Sequence, residues 1–166
     1  MLVIGIDPGT AITGYGVVRE SDDGSLEVVD FGVILTPKDS PMPRRLLNLY
    51  RGLQHIILLH QPQSSAVEKL FFQRNVRTAL TVGQARGVVL LALTEADLPI
   101  AEYTPLEVKQ AIAGYGGADK NQVQQMVKAL LNLDQIPHPD DAADALAIAI
   151  CHIHSARLRA LNDVKI

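Results

Sequence analysis

The segment at 138–150, HPDDAADALAIAI, constrains the fold more than any other part of the sequence. Its second half is apolar and has to pack against other elements, yet three aspartates stand directly before it. Asp140 is placed as expected for a helix start, where an acid stabilises the first turn. Asp141 and Asp144 are three residues apart, so they share one face of the helix. Capping explains one aspartate, and it leaves Asp144 as a carboxylate at the edge of the core.

Two further acids stand at the ends of apolar strands. Asp7 closes the run LVIGID and is followed by PGT, and Glu68 follows SSAV. Each acid also has an ordinary structural explanation. Asp7 can form an Asx turn before Pro8, and Glu68 can pair with Lys69 at the surface. These explanations stay open when each residue is considered alone.

The four acids would meet in one place if the two strands are neighbours in the sheet and the last helix packs over them. Four converging carboxylates repel one another unless cations lie between them. Oxygen ligands without a Cys or His cluster favour Mg²⁺ or Mn²⁺ over zinc. Two such ions in one site are the arrangement used for phosphodiester hydrolysis. The pattern therefore predicts a metal-dependent centre that acts on a phosphate ester.

Charge is unevenly distributed along the chain. The net charge is −3, but residues 41–92 contain seven basic side chains and one acid, so the remainder carries −9. A basic region beside an acidic pocket suits a phosphate-bearing partner, although a solvated helix surface explains the same numbers.

The hydrophobic periodicity predicts one α/β domain over residues 1–166. Residues 1–35 form an antiparallel meander of three strands. The segments SSAVEKLF and LPIAEYT are two more strands, and helices separate and follow them. The long helix from Val76 to Ala96 contains Gly83 and Gly87, which suggest close approach to another backbone. This helix is the candidate for a subunit interface, with an ordinary core helix as the alternative.

Several features bear on location. No apolar run reaches the roughly 18 residues of a membrane span. The N-terminus lacks the features of a signal peptide, and the single Cys151 allows no internal disulfide. We therefore expect a cytoplasmic protein with no membrane contact.

The motifs GIDPGTAITGYGVV, AVEKLFFQRN, GQARGV, EYTPLEVKQAIAGYGGADKNQVQQMV and DAADALAIAICHIH occur in this order along the chain. Together they resemble those of the RuvC-type Holliday junction resolvases, from Leu2 to about Ser155. The resemblance implies an RNase H-like fold with a mixed five-stranded sheet, and a homodimer. It implies a crossover junction endodeoxyribonuclease for recombination and repair, which nicks two strands of the same polarity at a four-way DNA junction. It also implies the RuvA–RuvB branch-migration complex as a partner.

The resemblance assigns site residues as well. The catalytic and metal-binding acids of the family correspond to Asp7, Glu68, Asp141 and Asp144. They would bind two Mg²⁺ ions, for which Mn²⁺ could substitute, and Asp140 is a less favoured neighbour of the third acid.

The DNA contacts implied by the resemblance lie in two other segments. Basic contacts correspond to Lys109 and Lys120. The ring that stacks on exposed bases corresponds to Phe71, although the adjacent Phe72 leaves open which ring does so. Arg74 follows the two rings in the sequence. Rings and guanidinium groups together suit a DNA strand with unstacked bases, so Arg74 is a candidate contact as well.

Three alternatives compete with this interpretation. GIDPGT also resembles the first phosphate loop of the actin and sugar-kinase superfamily, but 166 residues are too few for the two domains of that fold. An RNase H-like nuclease acting on RNA would share the acids but not the segment from EVKQAIAG to ADKNQVQ. An inactive DNA-structure binder would lack one of the acids, and none is missing.

Overall fold

The structure, a computed structural model, describes residues 1–69 and 76–163, with side chains for all of these except 76–78 and 160–163. The strands are β1 (Leu2–Asp7), β2 (Ile12–Glu20), β3 (Leu26–Leu35), β4 (Ser64–Glu68) and β5 (Ile100–Tyr103). The helices are α1 (Met42–His60), α2 (Val76–Glu95), α3 (Pro105–Ala113), α4 (Lys120–Leu130) and α5 (Asp140–Asp163).

The five strands form one mixed sheet in the order β3-β2-β1-β4-β5. The first three strands pair antiparallel, as the predicted meander requires, whereas β4 pairs parallel with β1 and with β5. Parallel pairing brings the carboxyl ends of β1 and β4 to the same edge of the sheet. Ile6 is paired with Val67, so the next residues, Asp7 and Glu68, are neighbours across the two strands.

Alternation along the strands divides the core into two layers. Val3 and Ala66 pack in the cluster that contains α3, α4 and α5, whereas Ile4 and Ile6 pack in the cluster with α1 and α2. Because successive strand residues point to opposite faces, Asp7 lies on the same face as Val3. Both strand-terminal acids therefore face the layer that contains α5.

Helix α5 lies directly on the backbone of β1 and β2. A Cβ atom on Gly5 would stand 2.2 Å from the carbonyl oxygen of Ala145, and one on Gly14 would stand 1.9 Å from that of Asp141. Side chains at these positions would push the helix away from the sheet. The glycines thus set how closely the first turns of α5 approach the end of β1.

The opposite face is covered by α1 and α2. Leu49, Leu53, Ile56 and Ile57 of α1 are buried, as their three- and four-residue spacing predicts. The close approach suggested by the glycines of α2 does not occur within the described chain, since a Cβ on Gly83 would meet nothing within 4 Å. In residues 1–69 and 76–163 we find no helix with the length and hydropathy of a membrane span.

Candidate active site

Strand pairing places the first two acids side by side. Asp7 and Glu68 lie at the same edge of the sheet, and a side-chain hydrogen bond between them acts to lower the pKa of Glu68. Burial raises the pKa of Glu68 above its usual 4.5, and the negative charge of Asp144 raises it further. Glu68 in turn raises the pKa of Asp7, so ionisation of Asp7 is opposed by the charge beside it.

The first two turns of α5 bring the remaining acids to this point. Burial raises the pKa of Asp7 from 3.8 to about 7, with further contributions from Glu68, Asp144 and Asp141 in that order. Burial also raises the pKa of Asp144. The charges of Glu68, Asp141 and Asp144 thus all act on Asp7 at the end of β1, so acids from β1, β4 and α5 lie near one another.

Asp140 has a different environment from Asp141. It is the first residue of α5, is exposed, and accepts a hydrogen bond of 3.1 Å from Nε2 of Gln124. Lys120 lowers the pKa of Asp140, whereas Asp141 raises the pKa of Asp7. Of these two aspartates, Asp141 is therefore the one whose charge acts on Asp7, whereas Asp140 contacts Lys120 and Gln124.

Lys120 is the basic residue that contacts the acids of α5. Its Nζ lies 3.1 Å from Oδ2 of Asp140 and 3.2 Å from Oδ2 of Asp144. Burial acts to lower the pKa of Lys120, but the two carboxylates outweigh it and raise the pKa above 10.5. Asp119 positions the lysine, because it caps α4 through a reciprocal capping box with Gln122.

A cavity of about 260 Å³ opens beside these residues. Lys109 and Lys120 line it together with Glu68 and Asp144, so both predicted basic contacts border the acidic pocket. A larger cavity of about 420 Å³ lies between α1 and α2, on the other face of the sheet. We assign the site to the smaller cavity because acids from β4 and α5 line it together with two lysines.

The loop after Asp7 is supported by residues that sequence analysis did not single out. Arg45 of α1 donates a 2.7 Å hydrogen bond to the carbonyl of Thr10, and Thr36 donates to the same oxygen. Thr13 donates a 2.7 Å bond to the carbonyl of Gly9. These contacts hold the turn through which the chain leaves Asp7. Arg45 carried no signal in one sequence, because its partners are distant along the chain.

The predicted aromatic and guanidinium contacts, Phe71, Phe72 and Arg74, lie outside the described residues. Within the described part of the chain, no three acidic, histidine or cysteine side chains are arranged around one point as a bound ion requires. Two of the acids have other partners, since Asp7 bonds to Glu68 and Asp144 contacts Lys120.

One of the histidines that could have been metal ligands is instead structural. His152 is buried, and its Nδ1 lies 2.9 Å from the hydroxyl of Tyr103 while its Nε2 lies 3.1 Å from Oγ of Ser64. These bonds join α5 to β4 and β5, in agreement with the structural role expected for this residue. Cys151 is likewise buried.

Comparison with known proteins gives a consistent result. The sequence model of the family described as crossover junction endodeoxyribonuclease RuvC matches residues 3–152. The RuvC proteins of Chloroflexus aggregans and Desulfitobacterium hafniense are 62% and 61% identical, and the matches cover 94% and 95% of this chain and the same shares of theirs. A structure of Thermus thermophilus RuvC in complex with a Holliday junction substrate is 36% identical, with a TM-score of 0.87 over 95% of this chain and 96% of that one.

Proposed function

Since the chain belongs to the RuvC family of crossover junction endodeoxyribonucleases, we propose that Asp7, Glu68, Asp141 and Asp144 form the catalytic centre of a Holliday junction resolvase. The fold is RNase H-like, and the enzyme is a nuclease of recombination and repair. The observation that supports the assignment most strongly is the strand register that puts Asp7 beside Glu68, where burial and three neighbouring acids raise the pKa of Asp7 to about 7. Such a concentration of carboxylates is typical of a site built for cations.

The residues fit divalent metal ions of the hard class. The donor set consists of carboxylate oxygens from β1, β4 and α5, and a cation would relieve the repulsion that raises the pKa of Asp7. We propose that two Mg²⁺ ions bind these acids, with Mn²⁺ as a possible substitute. When bound, they would activate water for attack on the phosphodiester and stabilise the leaving oxygen. Asp7, on which the charges of Glu68 and of both α5 acids act, would be one of the ligands.

The basic residues around the cavity are proposed DNA contacts. Lys109 and Lys120 border the acids, and their ammonium groups can bind phosphates of the strand being cut. Phe71, Phe72 and Arg74 follow Glu68 closely in the chain, so their segment starts at the catalytic centre. We propose that a ring of this segment stacks on a base exposed at the crossover.

The substrate suggests the assembly. A four-way junction has two-fold symmetry, so a homodimer can place one catalytic centre on each of two strands of the same polarity. The exposed Leu80 and Leu91 make α2 the candidate interface, where its glycines could approach a partner's backbone. We propose that residues 1–166 act as one domain in the cytoplasm, together with the RuvA–RuvB complex.

The test is cleavage of a synthetic four-way junction and of a linear duplex, each with and without Mg²⁺. We expect paired symmetric nicks, leaving 5′-phosphate and 3′-hydroxyl ends, on the junction alone and only with the metal. Asp7→Asn and Asp144→Asn are expected to retain junction binding and lose cleavage, whereas Asp22→Asn, in an exposed turn, is the matched control. Cleavage by either variant at the wild-type rate would contradict the metal assignment.

The aromatic contact has a separate test. Phe71→Ala is expected to reduce cleavage of the junction more than its binding, because stacking would hold the strand open at the crossover. The same substitution at Phe72 determines which ring is used. Undiminished cleavage by both variants would remove the stacking role without affecting the assignment of the acids.

A further inference from the structure

The structure contains a cation at the catalytic centre, and it is supplied by the chain itself. The ammonium group of Lys120 lies between the carboxylates of Asp140 and Asp144, 3.1 Å and 3.2 Å from their Oδ2 atoms. Its charge also reaches the end of β1, since it lowers the pKa of Asp7. Lys120 thus offsets part of the repulsion that a metal ion would otherwise relieve.

We propose that Lys120 acts as an internal counter-ion that occupies the Asp144 side of the catalytic centre and has to leave that carboxylate before a divalent ion can bind to it. The proposal rests on the function proposed above and concerns a step that precedes the reaction. The contact between Asp144 and Lys120 supports it, because a divalent ion at Asp144 would have to displace the ammonium group.

The ion pair is placed so that it can be exchanged. The side chains of Lys120 and Asp144 are 53% and 36% exposed, and exposed pairs of this kind are weak because water screens them. The lysine has a long flexible side chain, whereas its backbone is fixed by the capping box at Asp119. The ammonium group can therefore leave Asp144 while α4 stays in place.

The exchange would couple metal binding to DNA binding. Lys120 also lines the cavity beside the acids, so a DNA phosphate there could take up its ammonium group. When the ammonium group leaves Asp144, that carboxylate becomes free for a divalent ion. By thermodynamic reciprocity, a divalent ion bound at Asp144 would in turn free the lysine for a DNA phosphate. The metal site of the DNA-free enzyme would consequently be weak until a strand is bound.

The experiment measures Mn²⁺ affinity of the DNA-free protein by isothermal titration calorimetry. In Lys120→Met the side chain keeps its length and loses its charge, and we expect Mn²⁺ to bind about twofold to fivefold more tightly, the upper part of the range for loss of an exposed ion pair. Lys109→Met is the matched control. Lys109 lines the same cavity, but it is not among the charges that change the pKa of Asp7 or Asp144, so its removal should change the affinity less than twofold.

Two outcomes would overturn the proposal. One is a Lys120→Met variant that folds, as judged by its melting curve, and binds Mn²⁺ no more tightly than the wild type. The other is an equal gain in Lys109→Met, which would indicate a general effect of positive charge. Failure of the proposed function is distinguishable, because Asp7→Asn would then bind Mn²⁺ as tightly as the wild type.

Discussion

Replacing Asp7 by Asn should stabilise the metal-free protein at alkaline pH. Burial and the neighbouring acids raise the pKa of Asp7 from 3.8 to about 7. Between these two values the folded state binds a proton that the unfolded state has released. The free energy of unfolding therefore falls as the pH rises from about 4 to about 7 and stays low above that range. Asn has nearly the same shape as Asp and carries no charge, so the free energy of unfolding of the variant should not fall in this way.

The magnitude follows from the two pKa values. The difference of about three pKa units, at about 1.36 kcal/mol each, corresponds to about 4 kcal/mol at pH 8. The amide of Asn keeps a donor for Glu68 but remains partly buried, so we expect a net gain of about 2–4 kcal/mol. For a chain of this length, this gain raises the melting temperature by about 5–15 °C.

The assay is thermal and urea unfolding of both proteins in EDTA at pH 4 and pH 8. The gain should be present at pH 8 and nearly absent at pH 4, whereas Asp22→Asn should change stability by less than about 0.5 kcal/mol at either pH. Saturating Mg²⁺ at pH 8 should stabilise the wild type more than the variant and narrow the gap. A gain of the same size at pH 4, or no gain at pH 8, would refute the argument from charge.

The remaining predictions concern packing. Gly14→Ala places a Cβ atom 1.9 Å from the carbonyl oxygen of Asp141, so it should lower stability by about 2–4 kcal/mol and abolish junction cleavage. Gly83→Ala is its control for a single subunit, since the added Cβ meets nothing within 4 Å in the described chain; at a protein concentration that keeps the subunits apart it should stabilise α2 by about 0.5–1 kcal/mol in the same unfolding assay. Tyr103→Phe removes the hydroxyl bonded to Nδ1 of His152 and should cost about 1–2 kcal/mol in urea unfolding, with junction binding in a gel-shift assay unchanged.

Much of the fold could be predicted from local patterns. The meander of 1–35 and the helix pattern of α1 follow from alternation and from three- and four-residue spacing, and the structure confirms both. The convergence of the acids was a conditional prediction. It required β1 and β4 to be sheet neighbours and α5 to lie over them, and the strand order satisfies both conditions.

Other features could not be predicted because they depend on partners far along the chain. The ion pair of Lys120 with Asp144 spans 24 residues, and the support of the Thr10 carbonyl by Arg45 spans 35. The close approach predicted for Gly83 and Gly87 has no counterpart within the described chain, and their place at a subunit interface stays a prediction, because a glycine pair indicates an available surface and not what covers it. The spacing of the two glycines in TGYG could have been used, because residues two apart on a strand share a face. Gly14 and Gly16 therefore leave one face of β2 without side chains, which predicts that another element packs closely there.

Substitutions at the glycines under α5 and at the acids should fail for different reasons, the former through loss of folding and the latter through loss of cleavage. Suppose a saturation library is sorted first for folded protein and then, among the survivors, for junction cutting. Substitutions at Gly5 and Gly14 should vanish in the first sort, because a helix lying on bare backbone has no room for a side chain. Uncharged substitutions at Asp7 should pass the sort for folded protein and should be enriched in it, because they remove a buried charge. They should be lost in the sort for junction cutting. Positions a few ångströms apart would then be depleted in different sorts, which gives a residue-by-residue means of separating what maintains this architecture from what performs its chemistry.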